Sequence, residues 1–191
     1  MSWKNIYLEN YAYFFTSSIV EHLPVLRYSE NRQVLLQLLS FYRKEYQVKL
    51  HGYVIMPTHI HLLIRSEIGE NIRRFMQNLL KNASKRIIAN TESFLDMPRY
   101  SARAKQLLDV FAQHANAPAR RAVWKEKARG IPIYTDDVLK EKLDYIHNNP
   151  VKAGLVAVPE DYRWSSSRNY CLDDHSVLEI DYVETLILRR R

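Results

Sequence analysis

The stretch GYVIMPTHIHLLIR (52–65) constrains the chain more than any other, because it is apolar nearly throughout yet carries His59 and His61 two residues apart. On a strand the side-chain period is two. His59, His61, Leu63 and Arg65 therefore share one face, and Ile60, Leu62 and Ile64 the other. The second face is wholly apolar and predicts burial on a core. The first begins with two imidazoles and ends in a cation, which predicts an open cleft at the histidine end. Neighbouring same-face imidazoles can aim ring nitrogens at one metal ion. The same pattern also suits two histidines hydrogen-bonded at a sheet edge, and two ligands are too few for a tight site. His22, His51, His114, His147 and His175 show no comparable pattern. His51 precedes the turn, from where it either approaches His59 across the hairpin or sits at the surface or core edge.

The flanking segments supply a fold for this strand. YAYFFTSSIV (11–20) reads as a strand, from its aromatic and β-branched content. SENRQVLLQLLSFYRKEY (29–46) places Val34, Leu35, Leu38, Leu39 and Tyr42 at helical spacing, with Ser29 as N-cap. VKLHGYVIM (48–56) is a second strand, joined by a short turn at Pro57 to the histidine strand, HIHLLIR (59–65). IGENIRRFMQNLLKNASKRIIAN (68–90) reads as a long helix that turns Ile72, Phe75, Leu79 and Ile87 inward. Residues 91–123 read as a helical insertion built on ARAKQLLDVFAQHA, and AVWKEK and IPIY read separately as short extended pieces. TDDVLKEKLDYIHNN (135–149) reads as a helix capped by Thr135 and ended by Pro150. Residues 151–191 read as an irregular tail in which VLEI pairs. The order strand, helix, strand, strand, helix predicts one α+β domain over 1–191, an antiparallel sheet with helices packed on it, in the split βαβ (ferredoxin-like) pattern.

Composition narrows the setting. With 47% hydrophobic residues and 4 glycines, the chain is expected to be globular. The single cysteine, Cys171, excludes an intrachain disulfide and a multi-cysteine zinc site. Apolar runs fall short of a membrane span and no secretory leader pattern opens the chain, so a soluble cytoplasmic protein is expected. A net charge of +7 and a pI near 9.4 favour polyanionic partners, since each Lys or Arg on a phosphate releases counterions.

In KLDYIHNNPVKAGLV (142–156), Tyr145 and Asn149 are four apart, and so share a helix face with Cβ atoms about 5–6 Å apart. A tyrosine hydroxyl is a candidate nucleophile, and an asparagine carbonyl oxygen suits a hard metal. Equally, Tyr145 can pack on the sheet while Asn149 caps the helix. Taken together, however, GYVIMPTHIHLLI resembles the His-hydrophobic-His signature of the HUH single-strand nucleases, specifically their single-tyrosine transposases. LDYIHNNPVKAGLVAVPEDYRWSSSRNY (143–170) is similar to the tyrosine helix and following segment of the REP-associated tyrosine transposases. The resemblance runs from YFFT (13–16) through VLEI (177–180).

That resemblance implies an HUH nuclease fold in which His59 and His61 bind Mg²⁺ or Mn²⁺, with Asn149 as a polar third ligand. Tyr145 is then the nucleophile that cleaves and rejoins single-stranded DNA through a 5′-phosphotyrosine link, at hairpins of palindromic repeats, in a monomer or a homodimer. The rival reading is a domesticated protein that binds DNA hairpins without productive transposition. Candidate phosphate contacts are Arg65, Arg73, Arg74, Lys81, Lys85, Arg86 and Lys152, each of which also suits a solvated surface. Trp164 suits either base stacking or anchoring of the tail, and the terminal RRR would add nonspecific affinity. The chain departs from the pattern at Lys125, where relatives often carry Gln after the tryptophan. It departs also at Thr58, where Asn or Glu is frequent, and in ARGIPIY, which lacks a His-Pro pair.

Overall fold

The computed structural model describes residues 7–116, 120–125 and 128–183, apart from the Arg129 side chain. Strand β1 (Ala12–Ser18) leads through a loop to helix α1 (Ser29–Glu45), strands β2 (Lys49–Ile55) and β3 (His59–Arg65), and helix α2 (Gly69–Ser93). Helix α3 (Pro98–Gln113), strand β4 (Arg129–Ile133), helix α4 (Asp136–Lys152) and a short helix α5 (Ser167–Leu172) follow. The sheet order is β2-β3-β1-β4 with every pairing antiparallel. This is the expected split βαβ arrangement, with the histidine strand and β1 in the centre.

Register explains the layers. Ile60, Leu62 and Ile64 stand opposite Ser17, Phe15 and Tyr13 of β1, and all three are essentially inaccessible to solvent. Right-handed crossovers put α1 and α2 over this face. There Leu35 and Leu39 of α1 and Ile72, Phe75, Leu79 and Ile87 of α2 close the core. A fully buried side chain of this size contributes about 1.5–3 kcal/mol, so the face is the main source of stability. Helix α4 lies on the other face, over β2, β3 and β4. Gly52 lets it come close, since a Cβ there would stand 2.7 Å from Leu143 Cδ1.

Two helix boundaries differ from expectation. Ser29 is the first helical residue of α1, after Tyr28, and its hydroxyl donates to Glu30 rather than capping the helix. Pro150 sits inside α4, not beyond it. A missing N–H in the last turn costs only the bond to Ile146, and the helix is stopped by Gly154 instead. Gly154 has φ +67°, its N–H donates to Val151 O (2.9 Å), and Leu155 N–H donates to Pro150 O (3.0 Å), which together make a Schellman cap. Thr135 does cap α4, accepting from Val138 N–H.

The tail is ordered over its described part. Ile55 N–H donates to Trp164 O, Ser166 N–H to Tyr53 O, and Asp181 N–H to Leu50 O, at 2.9, 2.9 and 2.8 Å. Tyr162 and Tyr170 donate their hydroxyls to the Ile55 and His51 carbonyls. These bonds cover the outer edge of β2, which would otherwise present unpaired backbone groups. VLEI forms no strand, although Leu178 and Ile180 are buried. The expected insertion begins later than residue 91, because α2 runs on to Ser93. The terminal RRR lies outside the described residues.

Candidate metal and tyrosine site

His59 and His61 open β3 on the face that α4 covers. His61 is 3% exposed and His59 half-buried. The cleft is therefore narrower than the sequence suggests, since α4 roofs His61 and leaves only the His59 end open. Each imidazole is held through Nδ1. His61 Nδ1 is hydrogen-bonded to Thr16 Oγ1 at 2.8 Å, across the register pair Thr16–His61, and His59 Nδ1 to Thr58 Oγ1 at 2.9 Å. Asn149 Nδ2–H donates to His61 Nε2 at 3.3 Å. His61 therefore carries its proton on Nδ1 and turns the Nε2 lone pair toward α4.

Burial, reinforced by the neighbouring His59, pushes the His61 imidazole down to about 3. Burial also holds His59 below its ordinary value, against the opposing effect of a hydrogen bond to Asn149. Both rings are thus neutral at pH 7, the form in which imidazole binds a metal. Asn149 reaches both rings and supplies the amide oxygen a hard cation takes. The donor set, two oriented neutral imidazoles and one amide, fits a divalent cation. Among the described residues no group of three or more His, Cys, Asp or Glu side chains converges.

Tyr145 lies one turn before Asn149 on α4. Its ring meets those of His61 and Phe14 edge to face, at centroid distances of 5.2 and 5.8 Å, and the residue is 39% exposed. The ring is therefore fixed from below while its outer side stays accessible. Lys152 Nζ lies 5.6 Å from the Tyr145 ring centroid, and Lys142 Nζ 5.9 Å from that of Phe14. His59, His61, Tyr145, Asn149 and Lys152 are thus brought together from positions far apart in the chain.

The remaining candidates are elsewhere. Arg65 is exposed at the far end of β3, roughly 20 Å along the strand from His59. Arg73, Arg74, Lys81, Lys85 and Arg86 ride on α2, across the sheet from the imidazoles. Arg73 and Arg74 pair with Glu70, and Arg86 donates to Gln37. His51 sits at a bulge in β2, buried, with Nδ1 bonded to Asp181 O, and does not approach His59. Trp164 anchors the tail: its carbonyl bonds β2 and its ring lies beneath the Arg32 and Arg163 guanidiniums. Sequence reasoning missed Thr16 and passed over Thr58. Thr16 was legible in principle, as the residue that faces His61 once the β1–β3 register is known.

Residues 13–100 match the family model "Transposase IS200 like". Over that segment the chain is similar to the IS200-like transposases. The matched segment holds β1 to α2, with both histidines, and ends before α4. A Haemophilus influenzae protein named "Putative REP-associated tyrosine transposase" is 24% identical over 166 residues, covering 83% of this chain and 85% of that protein. A solved structure of a REP-associated tyrosine transposase bound to a REP hairpin superposes with a TM-score of 0.61 at 16% identity, over 96% of this chain and 91% of that one. The resemblance read from the two motifs is borne out, as is the fold. No helix among the described residues is long and apolar enough to cross a membrane.

Proposed function

We propose that this protein is a metal-dependent single-strand DNA transposase, acting at hairpins of palindromic repeats. Tyr145 attacks a phosphodiester and forms a 5′-phosphotyrosine link, releasing a 3′-hydroxyl. Attack by a 3′-hydroxyl on that link expels the tyrosine and restores the phosphodiester. The bond is exchanged rather than hydrolysed, so no nucleotide triphosphate is consumed.

The observation that carries this reading is the convergence of Tyr145 and Asn149, one turn apart on α4, onto the His61 ring. His59, His61 and Asn149 would hold Mg²⁺ or Mn²⁺, which supplies charge stabilisation at the phosphate and at the departing oxygen. The threonines Thr16 and Thr58 hold the two imidazoles through Nδ1. Phe14 and His61 set the ring of Tyr145, and Lys152 adds positive charge near the phenol. The solved REP-associated tyrosine transposase, bound to a REP hairpin, supports the choice of a hairpin as substrate.

The test is incubation with labelled hairpin-bearing single-stranded DNA and Mn²⁺, followed by a denaturing gel. A covalent protein–DNA adduct is expected, and Tyr145→Phe should abolish it while leaving hairpin binding intact. An adduct that survives Tyr145→Phe sinks the nucleophile assignment. Binding without any adduct favours a hairpin-binding protein that no longer transposes.

A further inference from the structure

The histidine face of the sheet continues sideways past β1. His59 stands opposite Ser18, and the Ser18 carbonyl accepts from Lys125 N–H at 2.8 Å, while Ile19 bridges Trp124 in antiparallel sense. In such a ladder the residue after Trp124 stands opposite the residue before Ile19. The hydrogen bond to the Ser18 carbonyl therefore stands the Lys125 backbone beside Ser18, in the row that His59 opens. With strands about 4.8 Å apart, the Lys125 backbone lies about 10 Å from that of His59, a gap its flexible four-carbon stem can largely span.

Lys125 is exposed, and its ammonium has no ion pair or hydrogen bond among the described residues. Arg43, Arg73, Arg74, Arg121, Lys142 and Arg168 are, by contrast, paired with acids. Its base is nevertheless fixed: the neighbouring Trp124 donates its indole N–H to Leu80 O at 3.1 Å.

A second donor stands beside the same row. Beyond Ser18 the chain clasps the Pro57–Thr58 turn, with Ile19 N–H donating to Thr58 O (2.8 Å) and Leu26 N–H to Pro57 O (3.0 Å). Within that clasp Glu21 and His22 are consecutive left-handed residues, φ 49° and 51°, with no glycine. Such a backbone is costly for ordinary side chains and persists where its surroundings impose it. It leaves the His22 imidazole exposed, without a partner among the described residues and within electrostatic reach of His59.

We propose that Lys125 and His22 form a phosphate-binding subsite beside the His59–His61 pair, gripping the DNA strand by a backbone phosphate adjoining the one transferred. The inference rests on the strand-transfer reading above for its ligand. Contacts of this kind position a strand without reading its sequence. A glutamine after Trp124 would offer a hydrogen bond but no charge, so Lys125 gives this chain a salt-sensitive hold.

The test uses the full chain and a labelled hairpin-bearing single-stranded oligonucleotide, with binding followed by anisotropy from 50 to 200 mM salt. Lys125→Gln should weaken binding about fivefold at low salt and reduce the slope of log affinity against log salt by about 0.7, one phosphate contact on a single strand. Lys125→Arg should restore both. His22→Gly, which relaxes the left-handed backbone, should melt no lower than the unmodified protein yet bind about threefold more weakly. The metal concentration for half-maximal cleavage should be unchanged in all three. Unaltered affinity and slope in Lys125→Gln overturn the subsite, and unaltered binding in His22→Gly removes His22 from it. A shift in metal dependence would mean that both act through the histidine pair, and overturns the assignment. If the unmodified protein binds the strand without an adduct, the transfer chemistry falls while the salt slopes still decide the subsite; if it binds no strand, the subsite falls too.

Discussion

On one side of β3, Ile60, Leu62 and Ile64 meet Ser17, Phe15 and Tyr13 and are sealed beneath α1 and α2. On the other, His59 and His61 meet Ser18 and Thr16, and α4 covers them only in part. The same seven residues thus supply a stabilising face and a chemical face, divided by strand alternation alone. On the apolar side, burial is its own reward. On the histidine side, each buried ring nitrogen needs a partner, and the partners come from β1, the β2–β3 turn and α4. Stability and chemistry should therefore be separable by mutation of adjacent residues.

The largest effect expected is on the chemical face. His61→Ala should reduce cleavage by at least about a thousand-fold, ~4 kcal/mol on the barrier, with little loss of hairpin affinity. A collapse of binding alongside cleavage would make the pair structural. Leu62→Ala, one residue away, should cost about 3 kcal/mol of folding stability in urea titrations, leaving the metal dependence of whatever protein remains folded unchanged. If instead the metal dependence moves with stability, the two faces are not independent. Thr16→Val preserves shape but removes the oxygen that holds His61 Nδ1. It should weaken apparent metal affinity about 10- to 100-fold, measured by cleavage against Mn²⁺ concentration.

The smallest effect expected concerns pH. The folded His61 ring resists protonation down to about 3, against an ordinary value of 6.5, and His51 and His59 are lowered in the same direction by burial. The unfolded chain takes up these protons first. Stability from keeping the rings neutral is therefore complete above pH 6.5 and is lost as pH falls toward 3. Thermal scans of metal-free protein should show a lower Tm at pH 5 than at pH 7, and His61→Gln should narrow the difference. An identical difference in the variant would remove His61 as its source.

Strand alternation and helical periodicity made β1 to β3, α1 and α2 readable in the sequence, because burial on one face writes itself into apolar spacing. The histidine pair was readable for the same reason, as the only interruption of such a pattern. Its roof was not. The crossing of α4 depends on Gly52 meeting Leu143, a contact between residues 91 positions apart that no local pattern records. Thr16 was hidden because threonine is ordinary in a strand, and becomes informative only through register. Pro150 misled because a proline stops most helices, whereas here the stop is written four residues later in Gly154. The α2 cations were readable as charges but not as placed on the opposite layer from the imidazoles.

The bonds that close β2 come late in the chain. Tyr162 reaches Ile55 across 107 positions, and Tyr170 reaches His51 across 119. At about 5–20 residues per second, the ribosome takes on the order of ten seconds to supply them after β2 has emerged. Late in that interval the nascent sheet holds its histidines and most of its core but still has a bare strand at its border. Conditions that slow elongation between residues 55 and 162 lengthen this exposure, so the yield of soluble protein should depend on how quickly that stretch of the chain is made.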